Sequence, residues 1–208
     1  MKLIVLAGGF GTRLQSVLKG RPKPLADING QPFIKFLFQD WITWKKQKGI
    51  GSKKGFMFIR EELIYFTKTN DFICNTPYLD EIAKNHGRLK KGKENYKRCG
   101  NVWNDINEVT VGNLIHTERV KHPTQKPLKA CYRIIKTSSN EEQNVLIPFA
   151  GSGSECEACE VLGRNWTAFE NDQFSIDIIH ERFENLNAFE KSKERGLFSF
   201  TDEPTKAD

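Results

Sequence analysis

Gly151 and Gly153, separated by Ser152, stand directly after the apolar run Asn144-Val145-Leu146-Ile147-Pro148-Phe149, and Glu170 stands directly after a second run, Asn165 to Phe169. Glycines at that spacing let the backbone turn sharply and bring its N–H groups close to a ligand with no Cβ in the way. An acidic side chain at the tip of the second run is placed to accept two ribose hydroxyls. These residue types in this order point to a site for a small ligand that carries a ribose. A dinucleotide site asks for a third glycine, G-x-G-x-x-G. Cys156 occupies that place, so the pattern is Rossmann-like without the dinucleotide fingerprint. An ordinary βα turn has the same two glycines, and the pair alone does not separate the two readings.

The elements that must position these residues can be read from the chain. Residues 144 to 149 form a short apolar run bounded by polar residues, as expected of a strand buried on both faces in a parallel sheet. The loop 150 to 154 leads into a helix over Glu155 to Leu162, ended by Gly163-Arg164, after which Asn165 to Phe169 returns as a strand. A helix over Lys129 to Lys136 precedes the unit. Asp40 to Lys46 and Glu61 to Lys68 are rich in aromatic and β-branched residues and read as two strands. From Gln173 to Arg195 a helical spacing of Phe174, Ile178, Ile179, Phe183, Leu186 and Phe189 predicts an amphipathic helix on one sheet face. The polar end from Thr201 to Asp208 is expected to fray.

Composition sets outer limits. The chain has 208 residues, 38% of them hydrophobic, and a net charge of +6. That is enough apolar material for a core, and the basic balance is compatible with a polyanionic partner. No run approaches a membrane span, and Met1 to Ala7 is too short for a signal peptide, so a cytoplasmic protein is expected. The five cysteines are an odd number. Cys156 and Cys159 have C-x-x-C spacing, yet no second pair or histidine stands at metal spacing; they are expected to be structural thiols, with no metal.

Lys121-His122-Pro123-Thr124-Gln125-Lys126-Pro127-Leu128 lies upstream of the glycine loop, separated from it by the predicted helix 129 to 136 and a spacer. In this order the chain resembles the beta class of amino DNA methyltransferases, which read H-P-T-Q-K-P, helix, strand, D-P-F-x-G-S-G-T, helix, and a strand ending in an acidic residue. The likeness covers about residues 40 to 190. It implies an α/β fold, an incomplete Rossmann-like methyltransferase sheet with flanking helices, and S-adenosylmethionine as cofactor. It also implies backbone contacts from Phe149, Ala150, Gly151, Ser152 and Gly153, hydroxyl contacts from Glu170, and further cofactor contacts from Thr124, Gln125 and Lys126. Two positions depart from the family. Ile147 replaces the aspartate before Pro148, which implies the loss of a polar contact near the cofactor, and Ser154 replaces a threonine.

The N-terminal stretch carries a different likeness. Leu6-Ala7-Gly8-Gly9-Phe10-Gly11-Thr12-Arg13-Leu14, followed by Pro22-Lys23-Pro24-Leu25, resembles the opening of the sugar-1-phosphate nucleotidyltransferases. There Gly8, Gly9, Gly11 and Thr12 would wrap nucleotide phosphates, and Arg13 and Lys23 would neutralise the triphosphate. The likeness ends near residue 38, and the metal-binding and sugar-binding parts of such an enzyme do not follow. Residues 1 to 38 therefore read as a nucleotidyltransferase fragment, 39 to 200 as the C-terminal portion of a methyltransferase, and 201 to 208 as a tail.

What the likeness asks for and the chain lacks is a D-P-P-Y tetrad, which in the family holds the target amine and stacks on the flipped base. The 208 residues contain no Pro-Pro pair. Asn75-Thr76-Pro77-Tyr78 is similar in outline but follows the two strands instead of preceding them, and reads as a turn. Between Lys84 and Arg98 seven Lys or Arg residues surround one acid. Arg88, Lys90, Lys91, Lys93, Lys97 and Arg98 are candidates for DNA phosphate contacts, or for a solvated loop. Three readings stay open: a DNA methyltransferase acting on adenine N6 or cytosine N4, a nucleotidyltransferase, and a non-catalytic remnant that binds cofactor or DNA. The methyltransferase reading also predicts that residues 40 to 68 and 144 to 171 join one sheet, and that Met1 to Ala7 fills an empty strand position in it.

Overall fold

The computed structural model describes residues 27–28, 31–32, 37–50, 54–82, 96–109 and 118–190. Strands β1 (Asp27–Ile28) and β2 (Gln31–Pro32) form a short ladder, followed by β3 (Leu37–Ile50), β4 (Phe58–Thr67), β5 (Tyr78–Ile82), β6 (Tyr96–Arg98) and β7 (Val102–Trp103). Helix α1 (Leu128–Ser138) leads to β8 (Asn144–Ile147), α2 (Ser154–Val161), β9 (Asn165–Ala168) and α3 (Gln173–Glu190). Both strands expected over 40–46 and 61–68 are present, as β3 and β4. The nucleotidyltransferase-like motif, the strand expected over Met1 to Ala7, and Arg88, Lys90, Lys91 and Lys93 lie outside the described residues.

The β strands do not form the single sheet expected. β3 pairs antiparallel with β4 and parallel with β7, whereas β8 pairs parallel with β9 in a separate ladder. Among the described residues no strand connects the two ladders. They are joined through α1, and its sequence explains how. Leu128, Cys131, Tyr132 and Ile135, spaced i, i+3, i+4 and i+7, share one face. They pack with Ile147, Ala150, Cys156, Ala158 and Cys159 around β8 and α2. Ala130 and Ile134, on another face, pack with Trp44, Leu63, Trp103 and Ile106 of the β3 unit. A helix apolar on two faces must be covered on both.

The ends of α1 are closed by other parts of the chain. Pro127 precedes the first turn, where a missing N–H costs nothing, and the Leu128 N–H donates to Glu118 Oε2 at 2.8 Å. At the other end Asn75 Nδ2 donates to the Lys136 and Ser139 carbonyls at 2.9 and 3.1 Å, satisfying groups that a helix terminus leaves unpaired. Cys156 and Cys159 are fully buried in the core and burial pushes both thiols up to about 12, as inert structural cysteines require. No group of His, Cys, Asp or Glu among the described residues could hold a metal ion, and no helix among them is long and apolar enough to cross a membrane.

On the β3 side the cluster is tied to α1 by charge. Asp105 accepts from Arg133 Nη1 at 3.0 Å and pairs with Lys129 at 3.1 Å, while the Arg133 guanidinium lies 4.9 Å from the centre of the Trp103 ring. Burial raises the Asp105 pKa, but the bonds and charges of Arg133 and Lys129 outweigh it and hold the group down at about 2. A carboxyl whose folded pKa lies below its unfolded value of 3.8 stabilises the fold above that value. The contribution fades as pH falls toward 2. Asp105→Asn is therefore expected to lower the thermal midpoint at pH 7, with the difference from the parent shrinking between pH 4 and pH 2. A pH-independent difference in thermal scans would show that the carboxylate charge is not what the site uses.

Candidate ligand-binding site

The site is built where two parallel strands end together. Ile147 pairs with Ala168 as the last rung of β8 and β9, and the pairing continues as the Phe169 N–H donates to the Ile147 carbonyl (2.9 Å) and the Ala150 N–H to the Phe169 carbonyl (3.0 Å). The loop Pro148 to Gly153 then crosses these carboxyl ends. Its turn is closed by Gly153 N–H on the Ala150 carbonyl at 2.9 Å. Gly151 and Gly153 have φ of +53° and +74°, the left-handed region that side chains disfavour. Gly153 also serves as the N-cap of α2, so the second glycine turns the chain from loop into helix.

The glycines differ in what surrounds them. A Cβ on Gly151 would meet the His122 ring at 3.5 and 3.7 Å, an ordinary contact, whereas a Cβ on Gly153 would lie 2.9 Å from Ile179 Cγ1. One side of the loop thus faces the His122 segment and the other is pressed against α3. Ala150 and Ser152 are buried, and the Ser152 and Ser154 hydroxyls lie 3.1 Å apart. Phe149 is exposed, as are Phe169 and Phe174. Exposure of Phe174 departs from the expected amphipathic face, in which Ile178 is buried and Ile179 and Phe183 pack on the core.

Glu170 stands at the end of β9, where the sequence placed it. Its Oε2 accepts the Gly151 N–H at 2.8 Å, and its Oε1 accepts those of Asn171 and Asp172 at 2.8 and 3.1 Å. Burial raises its pKa, but the three backbone donors lower it more, so the carboxyl lies below its ordinary value and is ionised at neutral pH. A carboxylate has about four acceptor positions. Three are taken, which leaves room for one hydroxyl on Oε2 instead of the two expected from the sequence. Asp172 then caps α3 through the Ser175 N–H and hydroxyl, at 3.2 and 2.7 Å.

The Thr124-Gln125-Lys126 segment reaches the same end of α1, but two of its side chains are engaged within the protein. Gln125 is buried; its Nε2 donates to the Glu118 carbonyl at 2.6 Å and its Oε1 accepts the Val120 N–H at 2.9 Å. Lys126 Nζ donates to Glu61 Oε2 at 2.8 Å, and Lys46 pairs with the same carboxylate. Burial raises the Glu61 pKa, and the two lysines bring it below the ordinary value. Thr124 is exposed, and its N–H donates to His122 Nδ1 at 3.3 Å. Asn75 lies at the opposite end of α1, an 11-residue helix, about 16 Å away along the axis. Asn75 is therefore a helix cap, and the stretch is not the turn expected: residues 75 to 77 run straight into β5, which starts at Tyr78, all remote from the glycine loop. Lys97 and Arg98 fall in β6, where Lys97 pairs with Glu81 at 3.3 Å on the exposed surface.

His122 heads the H-P-T-Q-K-P motif but is not among the residues expected in the site, and Ile179 and Arg182 are residues of it that residue types alone do not single out. Arg182 had one signal in the sequence: it is a basic residue on the apolar stripe of α3, three positions after Ile179.

A parallel β-loop-α-β unit with a glycine loop across its strand ends and an acid at the tip of the second strand defines a Rossmann-like α/β fold of the methyltransferase kind. The same fold is seen in the crystal structure of an M1.HpyAVI-SAM complex, with a TM-score of 0.51 and 24% identity over 71% of this chain and 63% of that one. The chain belongs to the N6/N4 DNA methylase family, whose model matches residues 22–181. It is similar to the Type II methyltransferase M1.MboII of Moraxella bovis, at 36% identity over 146 residues, 62% of this chain and 56% of the relative. A stretch of 50 residues is 48% identical to D-glycero-alpha-D-manno-heptose 1-phosphate guanylyltransferase of Campylobacter jejuni, covering 24% of this chain and 21% of that enzyme. The chain spans about half the length of the curated methyltransferases it matches.

Proposed function

We propose that this chain keeps the S-adenosylmethionine-binding part of a site-specific amino DNA methyltransferase, joined to the opening fragment of a sugar-1-phosphate nucleotidyltransferase. The observation that carries the reading is the Gly151-Ser152-Gly153 loop across the ends of β8 and β9, with Glu170 bonded to it. The loop suits such a ligand. Glu170 keeps one acceptor position on Oε2, and the exposed rings of Phe149, Phe169 and Phe174 offer apolar faces for a flat base. Phe149 to Gly153 would supply backbone contacts through groups other than the Ala150, Gly151 and Gly153 N–H, which bond within the protein, Glu170 a ribose contact, and Thr124 the remaining contact of its segment. Gln125 and Lys126 would act by holding that segment. S-adenosylmethionine supplies an electrophilic methyl group, which in the family an exocyclic amine of adenine or cytosine accepts.

The 48% identity over 50 residues to the heptose-phosphate enzyme supports a nucleotidyltransferase origin for the motif that holds Arg13 and Lys23, while the methylase match from residue 22 overlaps the fragment expected over 1 to 38. The same reading makes DNA the partner, with Lys97 and Arg98 and the basic residues before them on its phosphates, and the cytoplasm the location. Titration calorimetry of the purified chain with S-adenosylmethionine is expected to give weak, saturable heat. DNA association, measured by anisotropy, is expected to weaken steeply with salt, log K falling with a slope of about −0.9 per phosphate contacted. Absence of both binding heat and a thermal shift with the cofactor would overturn the reading.

A further inference from the structure

Arg182 is a buried charged residue on α3, only 4% of its side chain being exposed. Its Nε donates to the Ser152 carbonyl at 2.8 Å, and its Nη1 pairs with Glu157 of α2, itself largely buried. Its Nη2 is buried without a hydrogen-bond partner among the described residues. Burying a guanidinium is costly unless it is fully paired, and replacing such a pair by apolar residues is often neutral or stabilising. Stability is therefore a poor reason for this arrangement. What it does achieve is geometric. The guanidinium is a planar fork, and two of its donors fix the Ser152 peptide relative to the first turns of α2.

Ile179, one turn before Arg182 on the same face of α3, closes on the same peptide at Gly153. A loop with two left-handed glycines has many conformations open to it, and holding one of them is work that the neighbouring chain must do. We infer that Arg182 is a positioning residue for the cofactor: with Ile179 it clamps the Ser152-Gly153 peptide from behind and so holds the turn that the Gly153 N–H closes on the Ala150 carbonyl in one conformation before the ligand arrives. The inference rests on the S-adenosylmethionine reading for its binding arm, but not for its loop arm.

Three variants test it. Arg182→Lys keeps the charge and removes the fork. Glu157→Gln keeps the Ser152 bond and breaks the ion pair. The double variant Arg182→Gln/Glu157→Gln removes both charges, so it leaves no lone buried ion and judges the role of Arg182 if lysine does not support the fold. Amide hydrogen exchange over residues 151 to 155 in the free protein is expected to quicken about tenfold in Arg182→Lys and in the double variant, and to stay within about twofold of the parent in Glu157→Gln. S-adenosylmethionine affinity is expected to fall about tenfold in the first two and to hold in Glu157→Gln, whatever the thermal midpoints do. Equal exchange and affinity in parent and Arg182 variants would overturn the inference, as would an equal loss in Glu157→Gln, which would make the role that of an ion pair. A parent chain that does not bind S-adenosylmethionine sinks the functional reading instead, and the exchange rates still decide whether Arg182 holds the loop.

Discussion

Gly153→Asp is expected to abolish S-adenosylmethionine binding and to lower the thermal midpoint sharply, while Gly151→Ala loses much less of either. Aspartate puts both a side chain and a negative charge in the loop. The structure shows what the side chain meets. At φ +74° an L-residue is strained by roughly 1–2 kcal/mol, and the new Cβ would stand 2.9 Å from Ile179 Cγ1 behind the loop. Ile179 is β-branched and set in a helix, so it has little rotamer freedom with which to yield. Overpacking of that kind costs roughly 1–3 kcal/mol more. The sum is a large part of the stability of a small domain, about 5–15 kcal/mol. Relief by moving α3 would pull Arg182 from the Ser152 carbonyl, so the binding loop is lost with the packing. At Gly151 the added carbon meets the His122 ring at 3.5 Å, and only the backbone strain remains. Thermal scans and calorimetry on the two variants decide it. Equal midpoints and equal affinities would show that α3 does not set the loop.

The parts of this site that could be read from the chain are those in which a residue type has a local consequence. An apolar run followed by Gly-x-Gly forced β8 and its loop, and Asn165 to Phe169 ending on Glu170 forced β9, because strand, turn and acid follow each other with no long-range choice between them. Helix α1, expected over Lys129 to Lys136, runs from Leu128 to Ser138. Partners were not legible. Lys126 as a residue type suits a phosphate or a cofactor, yet it lies against Glu61, 65 positions earlier. Gln125 in the same way is consumed by Glu118 and Val120. The arrangement of the strands was not legible either, since pairing between residues far apart depends on which segments lie between them. α1 has two apolar faces in its sequence, Leu128 to Ile135 on one and Ala130 with Ile134 on the other, and that doubling was the available sign that a helix joins the two ladders. Arg182 was hidden in a helical pattern whose apolar members had already explained the helix.

The 208-residue chain, purified alone, is expected to transfer methyl groups to DNA far more slowly than a family member that carries the D-P-P-Y tetrad. Transfer requires the target amine to be held in line with the methyl carbon, and orientation of reacting groups supplies about 7–11 kcal/mol in well-aligned reactions. The tetrad does this in the family by accepting from the amine and stacking on the base. Its nearest counterpart in this sequence, Asn75-Thr76-Pro77-Tyr78, is committed elsewhere: Asn75 bonds the carbonyls at the C-terminal end of α1, and the Pro77 carbonyl accepts the Cys99 N–H at 2.8 Å. The glycine loop is reached from the opposite end of that helix, so neither Asn75 nor Tyr78 is placed to reach an amine there. A well-formed cofactor loop does not make up the difference, because tight binding of ground state and transition state alike leaves the barrier between them unchanged. On the proposed reading Lys97 and Arg98 would hold DNA through its phosphates, which orients the duplex and not the amine. The deciding measurement is transfer of a labelled methyl group from S-adenosylmethionine to mixed-sequence DNA, with Gly153→Asp as the loop-disrupted control. Incorporation no greater than the control is the expected result. Robust incorporation that disappears in the control would mean that other residues of this chain orient the amine, and that the tetrad is dispensable on this scaffold.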